Sequence, residues 1–183
     1  MKNKIALITG ASSGIGWATA ESFSKHGAKL ILCGRRKEKL KELSLNLSTQ
    51  SHILTFDVRD RKAVFDAFET LPDEWKNVDI LINNAGFGGH GIHIERELEQ
   101  EEKMIELNVK TVVSLTHMIG SDMVKSGKGK MLHVSSTAGF SPGPLQAVYF
   151  ATKAFVTSFS QAIDQELRTK GVTSTALCPG GVA

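Results

Sequence analysis

One tyrosine, two cysteines and four prolines among 183 residues leave few places for the chemistry of those residue types. Cys33 and Cys178 stand at the ends of apolar runs that read as strands. They are expected to be two reduced, buried thiols of a cytoplasmic protein rather than a disulfide or a metal site. No apolar run approaches the ~20 residues of a membrane span, and the N-terminus carries no signal-peptide pattern. A formal charge of +3 is too small to argue for nucleic acid or a membrane surface as partner. There is no internal repeat, low-complexity linker or proline-rich hinge, so residues 1–183 read as one domain.

With 41% hydrophobic and 22% charged residues the chain can bury one good core. Apolar runs at residues 4–9, 29–33, 52–56, 78–82, 130–134 and 172–178 read as strands. Helical patterns at 17–26, 37–42, 60–71, 98–125 and 149–170 fall between them. This alternation predicts an α/β fold: a doubly wound, Rossmann-like parallel sheet of six strands with helices on both faces.

The first strand runs into Gly10-Ala11-Ser12-Ser13-Gly14-Ile15-Gly16 and then a helix, the setting that a dinucleotide-binding loop requires. Glycines let the backbone approach a pyrophosphate, and the helix N-terminus supplies free N–H groups. The second strand ends in Gly34-Arg35-Arg36, without the acid that grips the ribose hydroxyls of NAD. Two arginines suit a 2′-phosphate through charge-assisted hydrogen bonds; the alternative is that they only begin the charged helix in which Lys37, Lys39 and Lys41 are solvated. Asp57 and Val58 end the third strand, where Asp57 either reaches an adenine or caps the next helix. Asn83-Asn84-Ala85-Gly86 ends the fourth, as a plain turn or at the ligand-binding edge of the sheet.

His90 and His93 lie in a glycine-rich stretch that no carboxylate or cysteine cluster joins, so it reads as a flexible loop at a pocket edge rather than a metal site. Asn108 falls inside a predicted helix, where Asn is mildly unfavourable unless exposed. The fifth strand ends in Ser135-Ser136. Thirteen residues after Ser136 comes Tyr149, the sole tyrosine, with Lys153 four residues on. That spacing stacks phenol and ammonium on one helix face, which helps a tyrosine give up a proton. The last strand ends in Pro179-Gly180-Gly181.

Thr9-Gly10-x-x-x-Gly14-Ile15-Gly16, Asp57-Val58, Asn83-Asn84-Ala85-Gly86, Asn108, Ser136, Tyr149-x-x-x-Lys153 and Pro179-Gly180, in that order, resemble the short-chain dehydrogenase/reductase family across essentially the whole chain. Gly34-Arg35-Arg36 and Leu71-Pro72-Asp73-Glu74-Trp75 are similar to a bacterial subgroup that oxidises serine and 3-hydroxy acids with NADP. The stretch from Ser136 through Lys153 looks more like a related reductase group. The resemblance implies NADP(H) as cofactor and hydride transfer between a carbonyl and a secondary alcohol. It implies Tyr149 as acid and base, Ser136 as hydrogen-bond donor to the oxygen, and Lys153 and Asn108 as its supports. The cofactor would be held by Gly10, Ser12, Ser13, Gly14, Ile15, Gly16, Arg35, Arg36, Asp57, Val58, Asn84, Ala85, Gly86, Tyr149, Lys153, Pro179 and Gly180. It also implies a homodimer or homotetramer built on the helices at 98–125 and 149–170.

Three features depart from the family pattern. Ser13 stands where NADP-using relatives often carry a basic residue, which leaves the phosphate to Arg35 with help from Arg36. His133 replaces a common Asn and is expected to be a satisfied core histidine. The sequence stops where relatives continue into a lid and a seventh strand, so a longer natural protein or a shortened form is expected, with little activity at this length. A non-catalytic NADP-binding module is the alternative reading. The apolar stretch Phe140, Pro142, Pro144 and Leu145 favours a neutral carbonyl substrate over an acidic one.

Overall fold

β1 (Ile5–Thr9) divides its side chains between two cores: Ile5 and Leu7 join one hydrophobic cluster, Ala6 and Ile8 the other. β2 (Lys29–Gly34) does the same, with Ile31 and Cys33 on one side and Leu30 and Leu32 on the other. A strand buried on both faces reads as an unbroken apolar run, and each face then needs helices to cover it. The computed structural model describes residues 1–181; Val182 and Ala183, the end of the last predicted stretch, lie outside the described residues.

With β3 (Ser51–Thr55), β4 (Ile80–Asn83), β5 (Gly129–Val134) and β6 (Val172–Leu177), the strands form one six-stranded sheet in the order β3-β2-β1-β4-β5-β6. Every neighbouring pair is parallel. The direction of winding reverses between β1 and β4, which opens a crevice beyond their carboxyl ends where ligands bind in such sheets. Helices α1 (Gly14–Lys25) and α2 (Lys37–Asn46) cover one face through Ala20, Leu40 and Leu43. On α2, Lys39 pairs with Glu42 and Lys41 with Glu38 at the surface, as expected of a solvated charge run.

The other face is covered first by α3 (Arg61–Glu69), through Val64. A short α4 (Asp73–Lys76), absent from the expected helices, seats the buried Trp75 in the same core. Asp60 caps α3, its carboxylate accepting 3.0 Å from the Ala63 N–H. This corrects the option of Asp57 as cap: Asp57 is turned to Arg59 instead.

The helix expected over residues 98–125 is built in three parts. α5 (Leu98–Ile105) and α6 (Thr111–Ser126) are joined by a π-helical turn at Glu106–Lys110. Such single π-turns occur where a side chain is redirected at a cost in backbone geometry, often at functional sites. α6 and α7 (Ala147–Leu167) complete the face through Leu115, Ile119 and Met123 and, from α7, Ile163 and Leu167.

Candidate active site

The glycine loop is braced from the neighbouring strand. The Thr9 hydroxyl, at the end of β1, accepts 3.0 Å hydrogen bonds from both the Asn84 and the Ala85 N–H. In return, Asn84 Nδ2 donates to the Thr9 carbonyl at 2.9 Å and the Gly10 carbonyl at 3.2 Å. Asn84 therefore ties together the carboxyl ends of the parallel strands β1 and β4. Gly16 has no room for a side chain, since a Cβ there would sit 2.5 Å from both Asn84 Nδ2 and the Gly10 carbonyl oxygen. Gly14 and Ile15 begin α1, whose N-cap Ser13 makes no side-chain capping bond, so the first N–H groups are uncapped.

Arg36 lies across this loop. Its Nη2 donates to Ser12 Oγ at 2.9 Å and Ser13 Oγ at 2.7 Å, and its Nε reaches Ser12 at 3.1 Å. Arg35 points the other way, largely exposed, with Nη1 4.0 Å from Asp57 Oδ2. The two adjacent arginines thus bracket the end of β2 from both sides. Asp57 is gripped by Arg59, a residue the sequence reading had not singled out, through Nε at 3.0 Å and Nη2 at 2.6 Å. These side-chain hydrogen bonds, more than any other influence, hold its carboxyl below the usual carboxylate range. Val58 is buried, and its carbonyl accepts from Thr111 Oγ1 at 3.3 Å, joining this loop to α6.

Across the crevice, Ser136 leaves β5 and caps the 3-10 turn Thr137–Phe140, its Oγ accepting 3.1 Å from the Ala138 N–H. Pro179 is docked on the same turn, its carbonyl accepting 3.0 Å from the Thr137 N–H; Gly180 follows, exposed. Tyr149 and Lys153 share one face of α7, with Nζ 5.7 Å from the centre of the phenol ring. Lys153 is only 7% exposed, and burial pulls its ammonium down to about 8 from 10.5. The Nζ donates 2.8 Å to the Val134 carbonyl. Ser135 supports that turn of α7 from below, its hydroxyl donating 2.8 Å to the Lys153 carbonyl.

Asn108 sits in the π-turn and is buried, so exposure is not the reason for an Asn there. Its Oδ1 accepts from the Phe87 N–H at 3.1 Å. Its Nδ2 donates to the Phe87 carbonyl at 2.9 Å and to Thr152 Oγ1 at 3.1 Å. Thr152 in turn donates 2.7 Å to the Tyr149 carbonyl. Asn108 thus ties the segment after Gly86 to the first turns of α7.

Two expectations on cores and loops need correction. His133 is fully buried but only half satisfied. Its Nδ1 meets Asn83 Nδ2 at 3.1 Å, while Nε2 has no partner among the described residues, and burial lowers its pKa to about 4. The stretch with His90 and His93 is pinned rather than free. Glu101, a buried carboxylate on α5, lies 3.8 Å from His93 Nδ1 and is bound by Arg96. Arg96 also donates 2.7 Å to the His90 carbonyl. Among the described residues no group of three or more His, Cys, Asp or Glu is placed to hold a metal. Cys33 is buried as expected, whereas Cys178 is half-buried.

A concavity of about 1200 Å³ lies elsewhere, between α3 and α6, lined by Val64, Phe65, Leu115 and Met118. It reaches Val58, Arg59 and Thr111 but not Ser136, Tyr149 or Lys153. Beside Tyr149 there is a small pocket walled by Gly89, Arg96, Met104 and Leu145.

The chain belongs to the short chain dehydrogenase family, whose model matches residues 4–183. It is 33% identical over 182 residues to an uncharacterized oxidoreductase of Staphylococcus epidermidis, a match that spans 100% of this chain and 79% of that protein. It is 39% identical over 178 residues to the NADP-dependent 3-hydroxy acid dehydrogenase of Escherichia coli K12, across 96% of this chain and 71% of the relative. Among solved structures, the closed form of serine dehydrogenase complexed with NADP+ superposes with a TM-score of 0.91 at 38% identity, covering 98% of this chain and 73% of that one. No helix among the described residues is long and apolar enough to cross a membrane.

Proposed function

We propose that this protein is an NADP(H)-dependent oxidoreductase that interconverts a carbonyl and a secondary alcohol, with Tyr149 as the proton donor and acceptor. The observation that carries this reading is the buried Lys153 ammonium beside the phenol of Tyr149, against Gly86 beyond the carboxyl end of β4. The residues fit the cofactor. Gly10 and Gly16 let the loop close against Asn84 and Ala85, where a Cβ would collide, and the open space at Gly14 with the uncapped N–H groups at Gly14, Ile15 and Gly16 suits a pyrophosphate. Ser12, Ser13, Arg35 and Arg36 supply donors for a 2′-phosphate. Asp57 and Val58 stand at the adenine end. Asn84, Ala85, Gly86, Pro179 and Gly180 line the way to Tyr149 and Lys153.

NADP(H), when bound, supplies or accepts the hydride. Ser136 donates a hydrogen bond to the substrate oxygen where negative charge gathers. Tyr149 hands that oxygen a proton, or takes one when an alcohol is oxidised. The ammonium of Lys153 steadies the charge left on the phenol, and its burial makes that attraction stronger than it would be in water. Asn108 holds Phe87 and Thr152, and through them the approach of the loop and helix on which Gly86 and Tyr149 stand.

The substrate side favours a neutral carbonyl. Leu145 and Met104 are apolar, and the guanidinium of Arg96 is already committed to Glu101 and the His90 carbonyl. Exposed Val113 on α6 and Phe155 on α7, which stacks on Phe159 at 5.6 Å, support a homodimer or homotetramer built on these helices. The test of the central reading is Tyr149→Phe. It is expected to abolish turnover of ketones while NADPH binding, followed by fluorescence, stays within about twofold. Near-normal turnover in that variant would sink the assignment. A panel of neutral ketones against 3-oxo acids decides the substrate class, and faster turnover of the acids would reverse it.

A further inference from the structure

We propose that Arg96, held by the buried carboxylate of Glu101, is a positioning residue that sets the substrate-side wall of the Tyr149 cleft. The proposal rests on the reading of Tyr149 given above. Arg96 stands just ahead of α5 and reaches two places at once. Its Nε donates to Glu101, which is 4% exposed, and its Nη1 donates 2.7 Å to the carbonyl of His90. A carboxylate this buried is costly unless it is paired, so the guanidinium is held in one geometry rather than left to sample several. His93 Nδ1, 3.8 Å from the other oxygen, closes the far side of Glu101.

The loop backbone is laid against this guanidinium. A Cβ on Gly89 would collide with it, and one on Gly91 would meet Arg96 Cγ at 3.3 Å. The loop is not anchored by its own apolar side chains, since Ile92 is 49% and Ile94 88% exposed. Arg96 is therefore its principal tether on this side.

One end of the tethered loop touches the catalytic helix, and the other touches the segment that leads into it. A Cβ on Gly88 would meet the Tyr149 ring at 3.2 Å, so the loop lies directly against the phenol. The Gly91 N–H donates 2.8 Å to the carbonyl of Leu145, two residues before α7 begins. Leu145 has φ +65°, a left-handed conformation that costs a non-glycine residue roughly 1–2 kcal/mol and so needs to be held. One ion pair thus fixes the spacing between the two segments that flank Tyr149, at 88–91 and 141–147.

The test is the double variant Arg96→Met/Glu101→Met, which removes the pair without leaving a lone buried charge, with Arg96→Lys beside it. Arg96→Lys keeps the charges, and with them the fold, but cannot serve Glu101 and the His90 carbonyl together. Both variants are expected to speed amide exchange in segments 88–91 and 141–147 by on the order of tenfold, and to raise the KM for ketones by a similar factor. NADPH affinity is expected to stay within about twofold, because Arg96 is bonded to Glu101 and the His90 carbonyl and to none of the residues assigned to the cofactor. Unchanged exchange in both segments together with an unchanged KM in Arg96→Lys would overturn the proposal. The exchange readout needs no turnover. Failure of the latch therefore shows as rigid loops in an active enzyme, whereas failure of the underlying reading shows as an active Tyr149→Phe.

Discussion

The ammonium of Lys153 donates 2.8 Å to the backbone carbonyl of Val134, at the end of β5. That single acceptor, with the phenol ring nearby, is what a nearly fully buried cation has in place of water. The folded chain therefore holds this proton less firmly than the unfolded chain does, with a pKa of about 8 against 10.5.

The sign of the resulting pH dependence follows. Between about pH 8 and 10.5 the unfolded state binds the proton that the folded state has lost, so the contribution of this group to stability rises with pH. Below pH 8 its burial costs the fold up to about 3 kcal/mol. Lys153→Met, free of cofactor, is expected to be more stable than the parent by about 1–3 kcal/mol near neutrality, with the gap closing toward pH 10.5. Urea unfolding across that range checks it; a gap that did not change with pH would contradict the burial argument.

His133 carries the same kind of liability in a lower pH range. Its pKa of about 4 lies below the ordinary 6.5, so over that interval the unfolded chain takes up a proton that the folded chain refuses. Stability then falls as the solution is acidified, by about 2 kcal/mol at pH 5 from this residue alone. His133→Asn is expected to flatten that part of the acid limb. Matched acid profiles for parent and variant would refute the assignment.

Arg36 and Arg35 are the residues proposed to separate the two nicotinamide cofactors. Charge-assisted hydrogen bonds to a phosphate contribute roughly 1.5–3 kcal/mol each, so Arg36→Ala is expected to weaken NADPH binding about 10- to 100-fold while NADH binding barely moves. Arg35→Ala is expected to act in the same direction. Equal losses for both cofactors would point to a damaged glycine loop rather than a lost phosphate contact.

Two glycines of the loop differ in the reason they are glycines. A Cβ at Gly16 meets backbone and the braced Asn84 amide at 2.5 Å, neither of which can give way. Gly16→Ala is expected to cost about 1–3 kcal/mol and to loosen NADPH binding. Gly14 has open space around its Cβ position and only a φ of +56° against it, so Gly14→Ala is expected to cost about 1 kcal/mol. Thermal melts and cofactor titrations of the two variants would reverse that ranking if the steric reading were wrong.

The sheet was legible in the chain because its strands are buried on both faces, which writes them as continuous apolar runs such as Ala6-Leu7-Ile8 and Leu30-Ile31-Leu32. The positions of Ser136, Tyr149 and Lys153 were legible because they follow from strand ends and helical spacing. Less accessible were features whose partners are far away or oddly placed. The π-turn depends on Asn108 meeting Phe87 and Thr152, which no local periodicity encodes. Asp57 read equally well as a cap until Asp60 was found in that place. Nothing in the sequence separates Glu101 from the neighbouring acids of α5, and only its burial against Arg96 sets it apart.

By itself, then, the sequence determined the parallel α/β class, the glycine loop and the Tyr149–Lys153 face, since each depends on residue type and short spacing. The fold decided which side chains those groups meet. It set Arg36 rather than Arg35 over the loop serines, left His133 half satisfied, and pinned the segment beside Tyr149 on a buried ion pair. The physical reason is that burial and partner choice are set by contacts between distant segments, and these exist only once the sheet has assembled.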